Sequence, residues 1–384
     1  MRQHSDRFSD RADLTAFLGA FCFFLSAVEY MLPKPLPFMR LGIANLPILL
    51  AVDILPFRWY LVLAVVKVIG MSLISGTLFS YIALFSMAGT MAAALAMWGL
   101  RKAGGRFVSQ IGVSIAGAMI SNASQIFIAR YLVFRETAWL IAPLFLAMGL
   151  ATGTGLGIFA EHFARISKWY AMALSLPLPE RQASPIKENS ADPRGFNFLS
   201  RFSRRGAEGR QARKKKAEAR FKPASLALVG MVLMLVFLFT EGLIAKAVML
   251  GLFAIAAWAM GKRFSLVTTF SVSLGIIAAN LIVPSGLVLA EFWGFRVTQG
   301  ALLEGIDKAL TFEGLMYLSK ASIMPGLRLP GRLGRIVAAA FTYYDKVVEY
   351  KGRIRASTLA VDADDMMLLV WETGAETKAP APAM

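Results

Sequence analysis

The sequence predicts an all-α protein, a polytopic membrane helix bundle with a six-helix unit and a second unit of about four helices. Three observations carry this. Of the 384 residues, 57% are hydrophobic, above the ~45–50% usual for soluble chains. Several apolar runs approach the ~20 residues that cross a bilayer. Between two sets of such runs lies a polar stretch, 164–223, with fifteen basic and five acidic residues. Basic connections stay on the cytoplasmic side, and a stretch rich in Lys, Arg, Ser, Gly and Pro builds no core. It reads as a mobile basic cytoplasmic linker that divides the chain. The domains expected are 1–163, the linker, a second membrane unit at 224–325, and a basic cytoplasmic helix with a disordered tail at 326–384.

In the first unit, Leu14–Leu32 is the first helix, with Ala16, Gly19 and Ala20 as a small-residue packing face. Pro33–Arg40 is a proline-rich loop. Leu41–Leu55 is short and holds Gly42, Asn45 and Pro47; interrupted spans of this kind are tolerated where they line a protein-enclosed cavity. Trp59–Gly76 follows with Lys67 in its middle, then Leu78–Leu100, Phe107–Phe134 with Asn122 and Gln125, and Trp139–Phe163. In the last of these, Gly149, Gly153 and Gly157 recur every four residues as a helix-packing face. Six crossings place the N-terminus, the Arg101–Arg106 loop and the linker on one side, in keeping with the positive-inside rule.

In the second unit, Ser225–Thr240, Leu243–Met260 and Phe264–Val283 read as spans, with Gly261, Lys262 and Arg263 as a cytoplasmic turn. Val297–Ile323 is amphipathic and counts as a tenth crossing. Arg332–Arg355 reads as a basic helix on the membrane surface, and Asp362, Asp364 and Asp365 as a solvated acidic cluster. Both termini are expected in the cytoplasm, with the chain in the cell's inner membrane and the bilayer as its first partner.

Lys67 near a midplane costs ~2.5–3.5 kcal/mol on insertion scales, so it must face the bundle interior. Asn45, Asn122 and Gln125 each need hydrogen-bond partners in a dry site, and Asn122 and Gln125 share a helix face. Read structurally, these amides staple helices together. Read functionally, Asn45, Lys67, Asn122 and Gln125 converge on one substrate-binding cavity between helices of the first unit, with the linker and second unit dispensable for binding. Glu29 and Glu241 fall near span ends, where a solvated carboxylate is ordinary. No phosphate-binding loop, His/Cys cluster or nucleophile motif occurs. No cofactor, metal, catalytic residue or nucleic-acid partner is therefore expected; the run Arg210–Lys216 reads as lipid-facing. The single cysteine, Cys22, excludes an intrachain disulfide.

Arg40-Leu-Gly-Ile-Ala-Asn45, Ser75-Gly76 and Asn122-x-x-Gln125 fall in an order that resembles the Gx transporter family, also labelled heptaprenyl diphosphate synthase component I. The resemblance covers roughly Leu14–Phe163. It implies an S-component-like unit of an energy-coupling factor (ECF) transporter, a six-helix protein binding a small molecule. Lys67 stands where that family usually has Arg, which keeps the charge and loses a bidentate contact. In S components small residues on the first helix dock a T component, and Ala16 and Ala20 match that pattern. The second half is weakly similar to a T component at Gly294–Thr298 and Leu329–Arg353, although Tyr350-Lys-Gly-Arg353 departs from the usual Ala-Arg-Gly ending. The expectation is a membrane transport protein for a small-molecule substrate, powered by separate ATPase subunits and not itself an enzyme. The alternatives are an accessory component of polyprenyl diphosphate synthesis, as the family label suggests, and a membrane scaffold without ligand.

Overall fold

The computed structural model describes residues 10–31, 42–178, 213, 219, 221–262, 266–292, 295–324, 327, 329–350 and 358–376. The expected proline-rich loop, most of the basic linker and the tail beyond 376 lie outside the described residues. The fold is a helix bundle. In chain order the helices are α1 (Arg11–Met31), α2 (Leu46–Ile54), α3 (Phe57–Ser75), α4 (Tyr81–Gly104), α5 (Gln110–Ala129), α6 (Thr137–Ile166) and α7 (Lys168–Ala173). They continue as α8 (Pro223–Leu238), α9 (Leu243–Ala259), α10 (Leu266–Leu281), α11 (Gln299–Ser322), α12 (Gly331–Tyr350) and α13 (Leu359–Glu376). The small hairpin β1 (Val288–Phe292) and β2 (Phe295–Thr298) joins α10 to α11.

Among the described residues five helices, α1 and α3 to α6, are long and apolar enough to cross a membrane, α5 together with its π-turn at Arg130–Phe134. The helices α8, α9 and α10 are equally apolar but have 16, 17 and 16 residues, or about 24–26 Å of rise. Their apolar side chains point outward: Leu228, Ile244, Val248, Ile255 and Phe270 are all exposed, as a lipid-facing surface requires. The broken second span takes the expected form. A single turn at Ile43–Asn45 follows Gly42, whose φ of 83° suits a residue without Cβ, and α2 then starts with Pro47 in its first turn.

The glycine repeat of α6 faces α5. A Cβ at Gly153 would stand 3.0 Å from the Ile115 Cα, and one at Gly157 would stand 2.6 Å from the Ile111 Cα, so only glycine permits this approach. Gly149 leaves the same kind of space for the Asn122 side chain. Ala16 and Ala20 on α1 are fully buried, and between them Gly19 lies against Val66 of α3 and Ala340 of α12.

Two sequence expectations are corrected at the C-terminus. The helix read as lying on the membrane surface, α12, packs on α1: Val337, Ala340, Tyr343 and Val347 are buried, and the Tyr343 hydroxyl donates to Asp13 at 2.9 Å. Its charges occupy one side and its apolar residues the other, so a basic composition coexists with a buried stripe. The acidic cluster of α13 is not solvated throughout. Asp364 is 0% exposed and accepts from the Ser167 hydroxyl at 2.5 Å and from the backbone N–H groups of Lys168 and Trp169 at 3.0 and 3.1 Å. A carboxylate at a helix start satisfies the orphan donors of that turn. The first residues of the presumed linker are accordingly structured. Trp169 is fully buried among Phe17 and Trp371, with ring centroids 5.1 and 6.4 Å away.

The second unit gathers around α11, where Leu315 and Leu318 pack with Phe237 of α8 and Phe253 of α9. Charges in the first half of α11 are paired: Glu304 with Arg135 at 2.7 Å and with Lys308 at 2.9 Å, and Asp307 with Lys246 at 2.7 Å. Its path relative to the first unit follows from its contacts. The start of α4, the end of α5 and the start of α6 share one apolar cluster with Phe312 of α11. Arg135, in the α5–α6 turn, holds Glu304 near the start of α11. The Phe79 N–H, in the α3–α4 turn, donates to Ser319 near its end at 3.0 Å. The helix α11 thus runs across the end of the α4–α6 bundle at which these turns emerge.

Candidate functional site

A cavity of about 640 Å³ opens inside the first bundle and reaches the second, within the ~300–1,000 Å³ usual for small-molecule pockets. The residues proposed from sequence, Asn45, Lys67, Asn122 and Gln125, all line it.

Lys67 is brought here by α3, whose central residues Ala64, Val66 and Val68 are buried with it. Its side chain is 4% exposed. The ammonium donates to the Asn45 side-chain oxygen and to the Thr90 hydroxyl of α4, the latter at 3.3 Å. Asn45 reaches the ammonium from the end of the single turn Ile43–Asn45, just before α2 begins. Glu29 of α1 lies on the same wall. It is 6% exposed and accepts from the Ala44 N–H at 3.3 Å, which corrects its reading as a solvated span-end carboxylate. Glu241 is exposed, as expected.

Asn122 and Gln125 take different roles on α5. Asn122 donates to the Phe145 carbonyl of α6 at 2.6 Å and so also ties two helices together. Gln125 donates to Ser121 one turn back at 3.1 Å. The bare Gly89 of α4 leaves room for it: a Cβ there would stand 2.7 Å from the Gln125 amide nitrogen. Gly89 and Thr90 therefore set Gln125 and Lys67 on adjoining parts of one wall.

The cavity is not confined to the first unit. Thr268, Thr269 and Val272 of α10, Phe312, Met316 and Lys320 of α11, and Lys262 also line it. The three residues of α11 are spaced by four and form one helix face. Sequence reasoning missed Thr90, Lys262 and Lys320. Lys262 reads as a mark of topology and Lys320 as one charge among several on an amphipathic helix; only tertiary packing turns them toward the cavity. Among the described residues no cluster of three or more His, Cys, Asp or Glu side chains is placed to hold a metal ion.

Fold and cavity together define the class, a helical membrane protein whose apolar bundle encloses a chamber of mixed polar and apolar lining. Residues 18–163 match the family described as heptaprenyl diphosphate synthase component I, a stretch that covers most of α1 through to the end of α6. Residues 223–324, from α8 to just past α11, match a domain of unknown function, DUF8519. No curated protein and no solved structure matches the chain.

Proposed function

We propose that this chain is an integral membrane transport protein in which the first unit binds a small molecule, as S components of ECF transporters do, and the second unit is a T-like scaffold. The observation that carries the reading is the buried Lys67 in a mid-bundle cavity with Asn45, Asn122 and Gln125. A cation held away from water costs several kcal/mol unless it is compensated, and a pocket of ligand size beside it gives that cost a use. The packing of α12 on the small-residue face of α1 supports the scaffold part, because this is the face by which S components engage a T component. Separate ATPase subunits would power uptake, and the chain would sit in the cell's inner membrane with both termini cytoplasmic.

Native mass spectrometry of the purified full-length protein tests the reading. A small molecule is expected to be retained by the wild type and lost from Lys67→Met, with both proteins eluting as the same folded species. Retention by Lys67→Met at wild-type stoichiometry would sink it. The match to heptaprenyl diphosphate synthase component I favours a second reading, an accessory subunit of polyprenyl diphosphate synthesis. The second reading expects chain-elongation activity to appear when this protein is added to a soluble prenyl synthase, and no retained ligand.

A further inference from the structure

We propose that the chamber has a gated way out. An apolar neck between the two units separates it from a charged vestibule beside the α5–α6 turn, and α10 and α11 hold that neck shut. This rests on the transport reading in one respect: the chamber is taken as the place a small molecule occupies.

Three cavities adjoin. The chamber of about 640 Å³ is lined in part by Gln125 and Phe312. The same two side chains line a small void of about 30 Å³, whose other lining residues are all apolar, Ile126, Phe145 and Ile276 among them. That volume is roughly the share of one water molecule in the liquid, so no organic ligand passes while the neck keeps this shape. Phe134 lines the small void and also a third cavity, of about 360 Å³. Among the described residues, this outer cavity and the chamber have no lining residue in common. Arg130, Arg135, Glu136 and Glu304 line the outer cavity, and the Arg135 side chain is 63% exposed, so the cavity meets solvent. A polar space, an apolar constriction and a second polar space are the parts of a hydrophobic gate. An ordinary close-packed core would have the constriction without a cavity on either side.

The wall built to move is the α5–α6 turn. The backbone leaves α5 as a π-turn at Arg130–Phe134, and Arg135 follows with φ 46°, in the left-handed region. π-turns recur at functional sites, and a residue with a Cβ keeps such a φ only where its surroundings hold it. The second unit does the holding. The Asn280 amide of α10 donates to the Val133 carbonyl of the π-turn at 3.1 Å. Lys308 of α11 donates to the oxygen of that amide at 3.2 Å, which fixes its orientation. The Thr137 hydroxyl donates to the Ala279 carbonyl at 2.8 Å, and Arg135 donates to Glu304 at 2.7 Å. An exposed ion pair contributes little and a single neutral hydrogen bond only modestly. The closure is therefore reversible, and its release lets the turn relax and carry Phe134 out of the neck.

The experiment uses the full-length protein in detergent with Ala138→Cys as the reporter. Ala138 lines the neck and is 2% exposed. The native Cys22, fully buried in α1, is the internal control for general unfolding. Modification by a small charged methanethiosulfonate is timed by intact mass, alone and with Glu304→Gln, Asn280→Ala or Phe312→Ala added. The introduced thiol is expected to react slowly in the parent, about threefold faster with Glu304→Gln and about tenfold faster with Asn280→Ala. Phe312→Ala, which widens the neck without touching a tether, should speed it as well, and Cys22 should stay unmodified throughout. If the introduced thiol reacts no faster than Cys22 in every variant, the neck is sealed core and the proposal falls. Equal rates with and without the two tether substitutions overturn it too, because the second unit then holds nothing shut. So does modification of Cys22 in step with the reporter, which would mean access by unfolding. None of these outcomes needs a ligand, so failure of the transport reading is read separately, from ligand retention by Lys67→Met.

Discussion

Asp364 shows how one side chain couples distant parts of the chain. It belongs to α13 yet closes the start of α7, nearly two hundred residues earlier, with three hydrogen bonds to a fully buried carboxylate. Truncating such an acceptor leaves its donors unsatisfied, so Asp364→Ala is expected to cost about 2–4 kcal/mol. Ser167→Ala removes the cap to the Tyr170 N–H at 2.9 Å and the hydroxyl's own bond to Asp364, but leaves the carboxylate its two backbone donors, and is expected to cost about 1–2 kcal/mol. Thermal unfolding of both variants in the same detergent checks the order; equal losses would show that the carboxylate adds nothing beyond the serine. Nearby, burial foremost and then the charge of Asp53 push the Tyr170 phenol up, so it stays a protonated donor to Asp53 at 3.4 Å. At this scale the sequence was informative where chemistry alone forces a partner. A lysine inside a span has few places to go, and Lys67 could be assigned inward without a structure. Glu29 and Asp364 were misread because position near a span end or in a tail says nothing about which later segment will cover them.

The element scale is governed by how closely helices approach. The α5–α6 contact depends on Gly153 and Gly157, whereas Gly155, two residues from each, has open space around it. Gly157→Leu is expected to separate the helices and destabilise the protein by about 2–4 kcal/mol through overpacking. Gly155→Ala should be neutral, or stabilising by up to about 1 kcal/mol, since alanine is the better helix former. Comparative thermal unfolding decides; a stable Gly157→Leu protein would mean the faces are not in contact. The spacing of four made this face legible from sequence. The partner of α12 was not, because its apolar stripe is interleaved with arginines and lysines, and such a helix serves a membrane surface and a protein core equally well in pattern. The hairpin β1–β2 went unread for a different reason: Val288–Thr298 is short, and its strand-favouring residues sit beside apolar runs that dominate the reading.

Across the whole molecule, the two units share one chamber and one core. The linker and second unit were expected to be dispensable for binding; in the structure α10 and α11 line the cavity, and α12 and α13 complete the core around α1. A protein ending at residue 165 would lose the Phe17 contacts to Trp169, Tyr343 and Trp371, with ring centroids within 5.5 Å of Phe17. We predict that this fragment is aggregated or degraded on expression, whereas co-expression with residues 166–384, which carry Trp169 as well as Tyr343 and Trp371, restores a soluble complex in detergent. A monodisperse fragment that keeps its ligand would refute the shared-core view. The long apolar helices were readable because composition encodes them. The mutual position of the units was not, since it rests on a few specific contacts such as Arg135–Glu304 and Phe79–Ser319.

The packing of α12 and α13 on α1 also has a consequence for biogenesis. The helix α1 meets α3 early, through Gly19 and Val66, but completes its packing late. Asp13, Phe17 and Gly19 await partners at Ala340, Tyr343 and Trp371, more than three hundred residues later. Contacts of such long sequence separation form slowly, and the surfaces they will cover are exposed in the meantime. During synthesis α1 must therefore persist in the bilayer with its small-residue face covered by α3 alone. The emerging chain then has a long interval in which insertion factors or a second nascent copy can occupy that face. Slowing translation after residue 324 should raise the share of misassembled protein, and speeding it should lower that share. Pulse-labelled chains followed by protease protection would read this directly.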